Sequence, residues 1–151
     1  MDIARTTLQR RHILGVRDDV ALAELPQFFG RAFQTASAAL DEEGAHPSGP
    51  PVALYYGGDE PALDVVAGFP FTGTVTPPPG TVVVDLPAGD AVEAVHVGPY
   101  ADIDATYRGL SEWMAEQHLV PADVMWEEYL AGPETGPDPS TWRTRVVYPI
   151  A

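Results

Sequence analysis

Two stretches of this chain repeat each other, and the duplication limits the possible folds more than any other feature of the sequence. Residues 53–58 (Ala-Leu-Tyr-Tyr-Gly-Gly) align without gaps on residues 127–132 (Glu-Glu-Tyr-Leu-Ala-Gly). When five additional hairpin-loop residues are allowed for in the second copy, residues 69–71 align on residues 148–150, with a proline at the centre of each. This separation is longer than the period of a solenoid repeat. The sequence therefore predicts a duplicated unit and a pseudo-two-fold pair of sheets.

Each copy has the pattern of a β-α-β-β unit. Apolar residues at spacings of three and four predict one long helix per copy, over residues 22–40 and 102–118. Short apolar runs bounded by turn residues predict the strands, which lie at residues 8–16, 52–56, 63–71, 82–86, 91–97, 125–130 and 142–150. The prediction is a single α+β domain over the whole chain, made of two units at about 8–72 and 81–151 with a proline-rich linker at 73–80.

The charge and composition of the chain exclude several classes of partner. With 22 acidic and 8 basic residues its net charge is −14, so phosphate backbones and anionic lipid surfaces repel it. It has no cysteine, which excludes disulfides and thiolate ligands, and its histidines lack the spacing of zinc ligands. No stretch has the length of a membrane span, and the N-terminus lacks the apolar region of a signal peptide. We therefore expect a cytoplasmic protein without a cofactor or metal, which binds neither nucleic acid nor membrane.

The strand at residues 125–130 carries a candidate binding site. Alternation places Met125, Glu127 and Tyr129 on one face, where a carboxylate beside soft and aromatic surfaces suits a flat, apolar ligand with positive charge. Taken alone, this strand fits a solvated glutamate on an outer face better. The duplication favours a site, because Tyr55 aligns with Tyr129 and Ala53 aligns with Glu127. A groove between the two copies would thus hold two tyrosines and a single carboxylate.

Five short motifs resemble a known family in their order and separation. They are residues 49–56 (Gly-Pro-Pro-Val-Ala-Leu-Tyr-Tyr), 86–89 (Leu-Pro-Ala-Gly), 96–100 (His-Val-Gly-Pro-Tyr), 126–130 (Trp-Glu-Glu-Tyr-Leu, then Pro133) and 144–150 (Thr-Arg-Val-Val-Tyr-Pro-Ile). Together they look like the GyrI-like effector-binding family, and the last motif matches the family's usual ending in full. The resemblance covers nearly the whole chain.

That resemblance implies a fold and a role for one residue. The family's fold is a curved antiparallel sheet built from two β-α-β-β modules, with both helices on its outer face and a ligand groove between the modules. In related multidrug-sensing regulators, the glutamate of the corresponding strand lies at the base of the pocket beneath lipophilic cations. That role transfers to Glu127, with Tyr129 on the same face. Such regulators also carry a DNA-binding module, and the few residues ahead of the first predicted strand suggest a stand-alone member.

Three functions follow as hypotheses. The first is binding of lipophilic, cationic aromatic molecules for drug sensing or sequestration, with Glu127 as buried counter-ion and Tyr55 and Tyr129 as walls. Trp142 and Tyr148 are further candidates for the walls, with ordinary core packing as their alternative. The second is hydrolysis of cyclopropane-bearing alkylating compounds, an activity of some stand-alone family members, in which Glu127 would activate water and a tyrosine such as Tyr129 would polarise the leaving oxygen. The third is a gyrase-inhibitor-like module with a protein partner.

Three other polar or aromatic residues receive structural interpretations. Glu128 faces the opposite side of the strand from its neighbour, so the two glutamates form no dyad, and we expect Glu128 to face solvent or a helix. His96 precedes a Gly-Pro turn that its hydrogen bonds would hold. Tyr107 belongs to the apolar stripe of the second helix and is assigned to the core.

Overall fold

A computed structural model of the protein describes residues 2–57, 61–133 and 135–151. In these residues the strands are β1 (Ile3–Leu8), β2 (Arg11–Ala21), β3 (Val52–Tyr56), β4 (Ala62–Phe71), β5 (Val82–Leu86), β6 (Gly89–Val97), β7 (Val124–Ala131) and β8 (Arg143–Pro149). The long helices are α1 (Leu25–Glu42) and α2 (Ile103–Glu116), and three short 3-10 turns lie at Leu22–Glu24, Tyr100–Asp102 and Pro139–Thr141.

The eight strands of the described residues form one antiparallel sheet with a symmetric order, β1-β6-β8-β7-β3-β4-β2-β5. Reading this order backwards exchanges each strand of one copy for its counterpart in the other. The copies are also interlocked, because β1 pairs with β6 of the second copy and β5 pairs with β2 of the first. The predicted α+β fold of two β-α-β-β modules in a curved sheet is thereby confirmed.

The prediction missed strand β1 and started the next strand too early. Residues 3–8 form a separate strand whose six residues all pair with β6, and β2 begins at Arg11 rather than at Leu8. This segment, Ile-Ala-Arg-Thr-Thr-Leu, is half polar and lies at the edge of the sheet, where one side of the strand has no partner. Its local pattern is therefore weak, and a partner strand about 85 residues away in sequence determines its conformation.

The pseudo-two-fold axis passes between β3 and β7, at the centre of the sheet. In the antiparallel register of these strands, Ala53 lies directly opposite Glu127 and Tyr55 lies opposite Met125. Ala53 and Glu127 are also the residues that the internal alignment equates, and a residue can face its own counterpart only at the axis. The site glutamate of the second copy therefore lies at the pseudo-two-fold axis, opposite an alanine of the first copy.

Both helices pack on one face of the sheet. They bury residues spaced three or four apart, namely Leu25, Phe28, Ala32, Ala36 and Leu40 of α1, and Thr106, Leu110 and Met114 of α2. Helix α1 covers β2 and β4, while α2 covers β6. Each fully buried leucine or phenylalanine contributes roughly 2 kcal/mol through loss of apolar surface. Neither helix of the described residues is long and apolar enough to cross a membrane.

The sheet curls around a second apolar core on its other face. This core contains Ile13, Val52, Leu54, Val66, Leu86, Ala91, Trp126 and Val147. Curling brings β2 and β4 unusually close at the pair Gly15 and Gly68. A Cβ atom added to Gly15 would lie 2.5 Å from the Ala67 carbonyl oxygen, and one added to Gly68 would lie 2.0 Å from the Leu14 carbonyl oxygen. Only glycine permits this approach of the two backbones.

Candidate functional site

Glu127 lies in the central strand β7 on the helix-covered face, with 7% of its surface exposed. Its two carboxylate oxygens have different donors. The hydroxyl of Tyr129, two residues along the same strand, donates to Oε1 at 2.6 Å. The hydroxyl of Tyr107, from α2, donates to Oε2 in a short hydrogen bond. Glu127 is therefore not the solvated outer-face residue that the strand pattern alone favours.

No basic side chain of the described residues forms an ion pair with Glu127. None of the ion pairs in the described part of the chain includes it. Burial raises its pKa above the usual 4.5, and this effect outweighs the hydrogen bond from Tyr129 and the influence of His96, which act in the opposite direction. In the described residues the side chain of Glu127 therefore accepts hydrogen bonds from hydroxyl groups alone. It lies in an apolar layer, where ionisation of the carboxyl group costs free energy.

Two more tyrosines lie close to Glu127. Burial and the nearby Glu127 charge raise the pKa of Tyr55, whose hydroxyl is a neighbour of the Tyr129 hydroxyl. The same two causes raise the pKa of Tyr148, whose ring contacts that of Tyr107 edge-on at 6.4 Å. Burial raises the pKa of Tyr129 as well, so these three phenols stay protonated at neutral pH. Together with Tyr107 they place aromatic surface and hydroxyl dipoles around the carboxylate.

Aromatic rings connect Tyr129 with the protein surface. Tyr129 contacts Phe29 at 6.2 Å, Phe33 at 6.1 Å and Tyr100 at 5.9 Å between ring centroids. Tyr100 in turn contacts Trp142 at 5.3 Å with an angle of 30° between the rings. We call these five residues the aromatic cluster. Tyr100 is 37% exposed, whereas Phe29, Phe33, Tyr129 and Trp142 are half-buried, so the cluster extends from solvent to the residue that binds Glu127.

Six of the seven residues predicted for the site lie in strands and share one face of the sheet, and Trp142 precedes β8. Tyr55, Tyr129 and Tyr148 lie around Glu127, as described above. Ala53 is fully buried opposite Glu127, and Met125 packs in the core beneath α2. Trp142 lies in the aromatic cluster, and its indole Nε1 donates to the Gly136 carbonyl.

Sequence reasoning missed the residues that the helices and the turn before α2 contribute. Tyr107 was assigned to the core, yet its hydroxyl binds Glu127. Phe29 and Phe33 belong to the predicted apolar stripe of α1, and Tyr100 ends the His-Val-Gly-Pro-Tyr motif. A tyrosine on an otherwise apolar helix stripe was the available signal, because a buried phenol needs a hydrogen-bond partner.

The carboxylate of Glu127 is covered in this structure. Two surface depressions lie away from it: one of about 490 Å³ between the loops at residues 43–48 and 72–75, and one of about 230 Å³ beside α2, with Tyr148 in its wall. Each carboxylate oxygen already accepts one hydroxyl proton, so a ligand that reaches Glu127 meets a carboxylate that is partly satisfied. Among the described residues, no group of three or more histidine, aspartate or glutamate side chains converges to hold a metal ion.

The expectation for Glu128 was wrong. It is only 4% exposed and lies on the face opposite the helices. Arg145 donates to its Oε2 at 2.5 Å, Arg11 at 3.0 Å and the Trp126 indole at 3.1 Å. Burial raises its pKa, but the charges of the two arginines outweigh that effect and lower it overall. The curl of the sheet explains the error, because it brings Arg11 of β2 across the concave face to β7.

His96 holds its turn, as predicted. Its Nε2 donates to the Pro99 carbonyl at 2.9 Å, and its Nδ1 lies 2.9 Å from the hydroxyl of Thr106 in α2. Because a carbonyl oxygen only accepts, Nε2 carries a proton, and Nδ1 pairs with the Thr106 hydroxyl. Both ring nitrogens are therefore occupied.

Comparison with known proteins gives a family and a fold. A family model described as GyrI-like small molecule binding domain matches residues 1–151. No curated protein matches the sequence significantly. Among solved structures the chain is similar to EcmrR in its complex with DNA, with a TM-score of 0.85, 17% identity and coverage of 99% of this chain and 57% of that chain. The chain thus spans a little over half the length of that protein.

Two further structures share this fold. One is SAV2435 bound to tetraphenylphosphonium, with a TM-score of 0.74, 10% identity and coverage of 100% of this chain and 94% of that chain. The other is a hydrolase encoded by lin2189 from Listeria innocua, with a TM-score of 0.67, 14% identity and coverage of 99% and 91%.

Proposed function

This chain belongs to the GyrI-like small-molecule-binding family, and we propose that it binds lipophilic aromatic cations with Glu127 as their buried counter-ion. The observation that carries the proposal is a buried carboxylate without a cationic partner in the described residues. Its neighbour Glu128, equally buried, has two arginines. An ionised carboxylate in an apolar layer is costly unless it is paired, and a cationic guest supplies the missing charge.

The aromatic cluster suits the apolar part of such a guest. Rings of tyrosine, tryptophan and phenylalanine attract a cation through their faces by about 0.5–2 kcal/mol each, and they also bury the guest's own aromatic surface. These interactions require no matched hydrogen bonds, so guests of several shapes fit the same surface. The net charge of −14 raises the local concentration of cations around the molecule.

Entry of the guest involves helix α2. Of the two hydroxyls on Glu127, that of Tyr129 belongs to the same rigid strand, whereas that of Tyr107 belongs to a helix that packs mainly on β6. We therefore expect the guest to replace the Tyr107 hydroxyl and to leave the Tyr129 hydroxyl in place. Binding then exchanges a neutral donor for a full positive charge at Oε2.

Tetraphenylphosphonium, the compound bound in the SAV2435 structure, is a suitable probe. We expect saturable binding by the wild type, and Glu127→Gln should weaken it at least about tenfold, since tenfold corresponds to about 1.4 kcal/mol of lost charge pairing. Tetraphenylsilane, a neutral compound of nearly the same shape without a hydrogen-bonding group, should bind both forms equally. Glu112→Gln, which removes a charge from the exposed face of α2, is the matched control and should bind like the wild type. If Glu127→Gln weakened the binding of both compounds equally, Glu127 would not act as a counter-ion.

Hydrolysis of a cyclopropane-bearing electrophile is the second candidate. The raised pKa of Glu127 and the two phenols on its oxygens favour it, because a carboxylate with a pKa nearer neutrality is a better general base. Glu127 would take a proton from water as the water oxygen bonds to a ring carbon. The electron pair of the breaking carbon–carbon bond would move to a conjugated carbonyl, whose oxygen takes a proton from Tyr129. Glu127 then returns the proton to Tyr129, and the net change is addition of one water.

Mass spectrometry separates this candidate from simple binding. If the protein hydrolyses the substrate, incubation with a cyclopropane-containing alkylator in ¹⁸O-labelled water should give a labelled water adduct with the wild type and none with Glu127→Gln. Recovery of the intact compound with both proteins would leave binding as the function.

A further inference from the structure

One buried hydroxyl beside Glu127 has no hydrogen-bond partner. Thr144 in β8 is fully buried, and among the described residues its Oγ1 is the one buried side-chain polar atom without a partner. It lies on the same face of the sheet as Glu127, directly between His96 of β6 and Tyr129 of β7. Directly opposed side chains on adjacent strands have Cβ atoms about 5 Å apart, so Thr144 lies against Tyr129. Glu127, which pairs with Val146, is its diagonal neighbour at roughly 7–8 Å.

The polar groups around Thr144 are committed elsewhere. His96 uses both ring nitrogens, one with the Pro99 carbonyl and one with Thr106. The Tyr129 hydroxyl gives its proton to Glu127. Buried polar atoms in folded proteins nearly always have a partner, and one that lacks it calls for a functional or solvent explanation. Valine has the same shape as threonine and would fill the position without an unpaired hydroxyl.

We propose that Thr144 selects guests which carry a hydrogen-bonding atom, such as a hydroxyl or an amine N–H, next to their cationic aromatic part. The inference rests on the proposed cation-binding function and names the class of ligand more closely. A guest placed with its charge at Glu127 and its ring on Tyr129 lies over the position that Thr144 occupies in the next strand. A polar atom at that edge of the guest completes the hydrogen bonding of Thr144, whereas a hydrocarbon edge leaves the hydroxyl buried and unpaired.

A matched pair of phosphonium ions tests the inference. Both are tetraarylphosphonium ions in which one ring carries a para substituent, hydroxymethyl in one and ethyl in the other, so that they have the same charge and nearly the same shape. We expect the wild type to bind the hydroxymethyl compound about tenfold more tightly, which corresponds to about 1.4 kcal/mol. Thr144→Val should abolish this preference, mainly by weakening the binding of the hydroxymethyl compound. Thr144→Ser should retain the preference.

Thr35→Val, at an exposed position of α1, is the control and should keep the preference of the wild type. Equal binding of the two compounds by the wild type would overturn the role of Thr144 and leave the cation site intact, and a preference that survives in Thr144→Val would do the same. Failure of the wild type to bind either compound would overturn the cation site and, with it, this inference. If Thr144→Val does not fold, Thr144→Ala removes the same hydroxyl and should equally abolish the preference, and a preference that survives in Thr144→Ala would overturn the role of Thr144.

Discussion

Glu127 and Glu128 are adjacent in β7, and both are almost completely buried, yet their surroundings are opposite. Glu127 lies on the helix-covered face, where tyrosine hydroxyls hold it and burial raises its pKa. Glu128 lies on the concave face, where Arg11 and Arg145 lower its pKa. A strand turns consecutive side chains to opposite faces, so the two carboxylates sit in separate cores of the same sheet. Residue type and burial alone therefore do not distinguish the two carboxylates, whereas the charge of their neighbours does.

The paired carboxylate has a structural role. Arg11 belongs to β2, and in the sheet β3 and β4 lie between that strand and β7, so this ion pair joins the two copies across the concave face. Arg145 also contacts Glu93 of β6, which extends the network along the second copy. Among the described residues the Glu127 side chain makes no such link between strands, because its hydrogen bonds lead to Tyr129 of its own strand and to Tyr107 of α2. This ion-pair network between the copies and the candidate site are thus on opposite faces.

The largest expected effect comes from removing one glutamate at a time. Glu128→Gln leaves the two arginines without a charged partner at that point and should lower the free energy of unfolding by about 3 kcal/mol. Glu127→Gln removes a buried charge that has no cationic partner and should change the free energy of unfolding by less than about 1 kcal/mol, or raise it. Urea denaturation of both variants measures the difference. Equal destabilisation by the two substitutions would show that the environments are energetically alike.

The two carboxylates should also respond oppositely to pH. Glu127 has a raised pKa in the folded state, so between 4.5 and that value the folded state holds more protons than the unfolded state, and stability falls as pH rises through this window. Glu128 has a lowered pKa, so its contribution is present above 4.5 and is lost as pH falls through the lowered value.

A subtraction isolates the contribution of Glu127. The unfolding free energy of the wild type minus that of Glu127→Gln should decline as pH rises above 4.5, by about 1.4 kcal/mol for each unit of the pKa shift, because the variant lacks the titrating group. Binding of tetraphenylphosphonium should strengthen over the same range as Glu127 ionises. Urea titrations at several pH values measure the free energies of unfolding, and isothermal titration calorimetry at the same pH values measures the affinity for tetraphenylphosphonium. A difference that stays flat, or that grows with pH, would contradict the raised pKa.

Local sequence patterns were sufficient for most of the fold and for placing Glu127 and Tyr129 on the same face of the sheet, but not for the burial of Glu127. The duplication predicts the two modules, helical spacing predicts α1 and α2, and strand alternation places Glu127 with Tyr129 on one face. The position of Glu128 could not be obtained in this way, because Arg11 lies 117 residues away and reaches it only when the sheet curls. Alternation states that the two glutamates face opposite sides, but it does not state that both sides are buried.

The smallest expected effect concerns the Tyr107 hydroxyl, which α2 contributes to the site. Tyr107→Phe keeps the ring and removes the hydroxyl that we expect a guest to replace at Glu127, so tetraphenylphosphonium should bind several-fold more tightly. The same substitution should lower the free energy of unfolding by about 1–2 kcal/mol, because it leaves a buried carboxylate oxygen without its donor. Tyr129→Phe is the matched control: it removes a hydroxyl that stays in place when a guest binds, so it should not tighten binding. Calorimetric titration measures the affinity. If tetraphenylphosphonium binds Tyr107→Phe as tightly as the wild type or more weakly, the guest does not replace the Tyr107 hydroxyl when it binds.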